Sequence, residues 1–69
     1  MSARLKHIGT LIKDLREERG FSQAAFARKL RTSQSAIARI ENGEQNLSTA
    51  TLSKISSALD RDILRLSDI

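Results

Sequence analysis

The chain has 69 residues, with 12 Lys and Arg against 8 Asp and Glu, a net charge of +4 and a pI near 10.4. A chain of that length is one domain that buries only about 60% of its unfolded surface, so a single small core must hold it. It has no cysteine and one histidine, His7, which excludes a disulfide staple and argues against a metal site, and no apolar run approaches the ~20 residues of a membrane span.

No proline, three glycines and many Ala, Leu, Lys, Arg and Glu residues favour helices. From Leu5 to Arg19, Leu5, Ile8, Leu11, Ile12 and Leu15 recur at helical spacing. This basic N-terminal segment lacks the apolar stretch and small-residue cleavage site of a signal peptide, so the chain reads as soluble and cytoplasmic. Gly20 is a helix stop that takes a left-handed backbone, and Phe21 is a core anchor leading into the next helix. Ser22 is an N-cap for a second helix over 23–30, with Ala25, Phe26, Ala27 and Leu30 available for burial.

Thr32 or Ser33 caps a third helix over 34–41. At 100° per residue from Gln34, the residues Ala36, Ile37 and Ile40 fall between roughly 200° and 300°. Gln34, Ser35, Ala38 and Arg39 fall between about 0° and 140°. One face packs, and the other is free to read something. Asn42-Gly43 ends this helix and opens a polar loop. Ser48 or Thr49 caps a fourth helix over 49–59, with Leu52, Ile55, Ser56 and Leu59 as its buried stripe. A fifth, short helix follows over 62–67. The expected architecture is all-α: one domain over 1–69, a compact bundle of about five short helices containing a helix-turn-helix.

No acidic residue lies between Glu18 and Glu41, while Arg19, Arg28, Lys29, Arg31 and Arg39 do. A helix pair with an acid-free, basic surface suits a DNA major groove. Two phenylalanines and no Tyr or Trp give no platform for stacking single-stranded bases. Ser22, Ser33, Ser35, His7 and Asp14 show no nucleophile–base–orienter spacing, so the chain is read as no enzyme and as needing no cofactor.

Ser22-Gln23, Ala27, the turn Thr32-Ser33-Gln34-Ser35, Ile37, Ile40 and Glu41-Asn42-Gly43 together resemble the phage repressor/Cro-type (XRE) helix-turn-helix family, from Ile8 to about Leu64. The segment TSQSAIARIENGEQNLS is also similar to the helix-turn-helix domain at the N-terminus of some actinobacterial UDP-N-acetylglucosamine enolpyruvyl transferases. That likeness opens an alternative, a regulatory or protein-interaction domain of a larger protein, or an antitoxin-like one.

The resemblance implies a lambda repressor-like fold, double-stranded DNA as partner, and a dimer on a near-palindromic site. It makes Gln34, Ser35 and Arg39 the base-reading residues, with Arg39 suited to guanine N7 and O6. For Arg39 the alternatives are a solvated charge or a phosphate contact. Gln23, at a helix N-terminus that itself attracts anions, is implied as a phosphate contact, and so is Asn42, whose other reading is a plain C-cap. Ser22 is either a plain N-cap or also a phosphate contact, and its backbone lets both hold. Arg31 stands where the family often has glycine; it is either a strained turn residue or one whose charge meets a phosphate. Arg16 and Glu41 match a structural ion pair between the first helix and the end of the third. Arg28 and Lys29 are a solvated face or lie near the backbone. Ile63, Leu64, Leu66 and Ile69 either form the dimer contact or close the monomer core. No small-molecule effector site is evident.

Overall fold

The computed structural model describes residues 3–67. In chain order the helices are α1 (Ala3–Glu18), α2 (Gln23–Leu30), α3 (Gln34–Glu41), α4 (Thr49–Leu59) and α5 (Ile63–Ser67). The first four have eight residues or more, whereas α5 is little over one turn. Four helices thus build the bundle and a short turn closes it. Among the described residues there is no strand.

The starts of α2, α3 and α4 share one device. Ser22, Ser33 and Ser48 hold extended backbone, and each Oγ accepts the N–H of the third residue on, Ala25, Ala36 and Thr51, at 3.0, 3.1 and 3.1 Å. Each bond satisfies one donor that the helix leaves orphaned and is worth about 1 kcal/mol. Of the two candidates at each later start, serine takes the cap rather than Thr32 or Thr49. Asp62 opens α5 in the same way, its Oδ1 accepting from the Arg65 N–H at 3.2 Å.

The four ends share another. Gly20, Arg31, Gly43 and Asp60 hold left-handed backbone with φ of 79°, 58°, 73° and 55°. Behind each, two backbone bonds fold back onto the last turn: Phe21 to Arg16 and Gly20 to Glu17, Thr32 to Ala27 and Arg31 to Arg28, Glu44 to Arg39 and Gly43 to Ile40, Arg61 to Ser56 and Asp60 to Ser57. This Schellman pattern stops the helix by satisfying its last carbonyls.

The core is Ile8, Ile12 and Leu15 of α1, Phe26 and Ala27 of α2, Ile37 and Ile40 of α3, Leu52, Ile55 and Leu59 of α4, and Ile63 of α5. Phe21, Leu30, Leu11, Leu47, Ala58 and Leu66 pack around it, half-buried. Phe21 reaches Phe26 with ring centroids 5.7 Å apart. Ser56, expected in the buried stripe, is half-buried, and its Oγ accepts the Ile63 N–H at 3.2 Å. Ile63 is 0% exposed, so of the two roles offered for it the structure has the second: it closes the monomer core. Leu66 also packs on that core, whereas Ile69 and the Leu64 side chain lie outside the described residues.

One glycine sets the distance between helices. A Cβ on Gly9 would stand 2.5 Å from the carbonyl oxygens of both Ile40 and Glu41. Only a residue without a side chain lets α1 lie this close to the end of α3. Among the described residues, no helix is long and apolar enough to cross a membrane.

Candidate nucleic-acid interface

The third helix divides as its spacing requires. Ile37 and Ile40 are buried against the core. Gln34, Ser35 and Arg39 are exposed, and Ala38, which shares their arc, is half-buried. Three polar groups of different reach therefore project from one side of a helix whose other side is clamped. Neither α2 nor α3 has an acidic residue in its first turn, so the partial positive charge of each N-terminus is not offset from within that turn.

Ser22 and Gln23 lie at the start of α2 and Asn42 at the end of α3. Ser22 is exposed; its Oγ accepts the capping bond, which leaves its O–H as a donor. Gln23 beside it is half-buried. At the far end of α3, Asn42 donates its backbone N–H to the Ala38 carbonyl at 3.0 Å and keeps its side chain exposed. Capping by its backbone and contact by its side chain are thus compatible.

Arg31 is set apart from these. It is exposed, in the left-handed conformation, and lines an open groove of about 600 Å³ with Lys29, Leu30, Ser53, Lys54, Ser57 and Ala58. None of the base-reading candidates borders that groove. Lys29, which also borders the groove, holds its Nζ 5.7 Å from the centre of the Phe21 ring.

The Arg16–Glu41 pair is present and buried, with side chains 7% and 2% exposed. Arg16 Nε donates to Glu41 Oε2 at 2.6 Å and Nη2 to Oε1 at 3.1 Å, a two-pronged contact. A third donor on the same guanidinium, Nη1, reaches the Phe21 carbonyl at 2.6 Å. The hydrogen bond and charge of Glu41 raise the Arg16 pKa, against an opposing effect of burial. One side chain thereby ties α1, the α1–α2 turn and the end of α3. Because Glu41 is buried and paired, residues 19–43 expose no acidic side chain at all.

Two features escaped the sequence. Gln23 Nε2 donates to Glu41 Oε1 at 3.1 Å across 18 residues, and no local spacing announces it. The signal available was a carboxylate at a packed helix end with more acceptor capacity than Arg16 alone fills. Gly9 is the other: a glycine between Ile8 and Ile12 in a strong helical stripe marks a close approach, but not to which helix.

The profile of the helix-turn-helix family HTH_3 matches residues 12–66. The chain is 39% identical over 66 residues to the ImmF control region 10 kDa protein of Bacillus phage phi105, covering 93% of this chain and 73% of that protein. It is 39% identical over 56 residues to the HTH-type transcriptional regulator RamB of Mycobacterium tuberculosis, of whose length it spans 12%. Its fold is similar to the crystal structure of the restriction-modification controller protein C.AhdI from Aeromonas hydrophila, with a TM-score of 0.85, 29% identity and coverage of 94% and 98% of the two chains. The chain belongs to the HTH_3, or Cro/repressor-type (XRE), helix-turn-helix family.

Proposed function

We propose that this chain binds double-stranded DNA sequence-specifically as a transcriptional regulator, with α3 in the major groove. The observation that carries the reading is the exposed arc of Gln34, Ser35 and Arg39 on a helix otherwise locked into the core. Arg39 reads guanine through its fork of donors, and Gln34 reads adenine or meets a phosphate. Ser35 and Ala38 fill the surface between them. Gln23 with the backbone at Ser22 holds one phosphate, Asn42 another across the groove, and Arg31 adds charge from the turn. These positioning contacts set the register and carry no base information.

One α3 spans only a few base pairs, so the working form is a dimer on two half-sites about 34–36 Å apart. Ile63 is excluded from that dimer contact by its burial.

Selection of duplexes from a random library at about physiological salt, which penalises non-specific phosphate binding, tests the reading. Enrichment of a near-palindromic site is the expected result. A folded protein that enriches nothing overturns it in favour of a protein-interaction or antitoxin-like domain.

A further inference from the structure

The Glu41 carboxylate accepts three hydrogen bonds, two from Arg16 and one from Gln23 Nε2. Its side chain is 2% exposed, while Gln23 is half-buried at the first position of α2. A primary amide has two N–H donors in one plane. Once Glu41 takes one of them, the direction of the other is fixed relative to the protein.

Resting on the DNA-binding reading, we infer that Glu41 is a positioning residue for the backbone contact: it holds Gln23 so that its second N–H is presented to a phosphate at the α2 N-terminus. A free glutamine would have to freeze its rotatable side chain upon binding, and that ordering opposes association. Here the freezing belongs to the folded protein. An acidic group beside a phosphate would ordinarily repel it, but Arg16 engages both oxygens of this one. The charge that orients Gln23 is thereby neutralised where it would do harm. Because Gln23 sits on α2 and Glu41 on the end of α3, the same bond fixes the backbone clamp relative to the base-reading helix. Nothing comparable holds Gln34, which is exposed.

Two measurements test this. The first is ¹⁵N relaxation of the side-chain amides in the free protein, with Gln34 and Gln45, both exposed, as internal controls. Gln23 Nε2 should be nearly as ordered as rigid backbone, near 0.85, and the controls below about 0.6. A Gln23 amide as mobile as that of Gln45 overturns the proposal without any variant. The second is a scan of single methylphosphonate substitutions along the selected duplex. In the wild type, one phosphate per half-site should matter by about tenfold, the scale of a hydrogen bond to a charged group, and Gln23→Ala should lose that sensitivity.

Glu41→Asp keeps a charge for Arg16 but draws the carboxylate back by one methylene. With that variant shown to be folded, the Gln23 amide should become mobile and the sensitivity at the same phosphate should fall to a few-fold. Full sensitivity with a mobile Gln23 overturns the positioning role and leaves the phosphate contact standing. Unaltered sensitivity in Gln23→Ala overturns the phosphate contact itself, and the positioning role with it.

Discussion

Arg31 concentrates a conflict between folding and function in one residue. At φ 58° it closes α2 where glycine would do so without steric penalty, and the left-handed conformation costs a side-chain-bearing residue about 1 kcal/mol. Arg31→Gly is therefore expected to raise stability by about 1 kcal/mol in urea denaturation. Asp60 shares the conformation at φ 55°, but aspartate tolerates it better, so Asp60→Gly should gain less. If Arg31 meets a phosphate, the same Arg31→Gly change lowers the slope of log affinity against log salt by about 0.9. An unaltered slope removes Arg31 from the phosphate contacts. Arg31 was singled out through the family resemblance, which often has glycine at this turn, whereas the Ser22 cap and Gly20 were legible directly, because helix capping and closure are local chemistry.

Between elements, the decisive contacts join α1 to the end of α3, and the sequence foretold only part of them. Gly9→Ala would gain helix propensity, but its Cβ would meet two carbonyl oxygens at 2.5 Å, and backbone of a packed helix end has little room to yield. A net loss of about 2 kcal/mol or more is expected by thermal or chemical denaturation, within the range of overpacked cores. Unchanged stability would mean that α1 and α3 do not approach as described. The Arg16–Glu41 pair should behave as buried ion pairs do. Arg16→Met leaves Glu41 buried without its charge partner and should cost about 3–5 kcal/mol. The double variant Arg16→Met with Glu41→Leu should cost less than that single change, because no charge is then stranded. A double variant worse than the single would show that Glu41 stabilises the fold even without Arg16, through its bond to Gln23.

Helix faces followed from period and burial, and the pairing of Arg16 with Glu41 followed from family resemblance. The Gln23–Glu41 bond and the partner of Gly9 required the fold itself, since residues 18 and about 30 positions apart share no local pattern. Ile63 illustrates the same limit. An apolar residue on a short terminal helix fits a dimer seam or a core equally well on paper, and its complete burial decides for the core.

Over the whole molecule, acidic residues are absent from one exposed segment while basic residues are spread along the chain. The exposed surface of residues 19–43 has no acidic side chain, whereas Asp14, Glu17 and Glu18 lie on α1 and Glu44, Asp60 and Asp62 follow α3. That absence leaves a positive face to draw a polyanion in without repulsion at the point of contact. On the proposed reading, groups that position and groups that read lie at different places on that face, so variants should separate too. Gln23→Ala should weaken all duplexes alike, whereas a change at Arg39 should act on sequence preference. That distinction is the centre of the account.

Its most direct test measures wild type and Arg39→Ala against the selected duplex and a set of copies, each with one guanine–cytosine pair replaced. The wild type is expected to lose about 1–3 kcal/mol at one position of each half-site. Arg39→Ala is expected to bind the parent and that altered copy equally. If the variant instead loses affinity uniformly and still discriminates at every position, Arg39 does not read a base and the exposed arc of α3 is not the specificity surface.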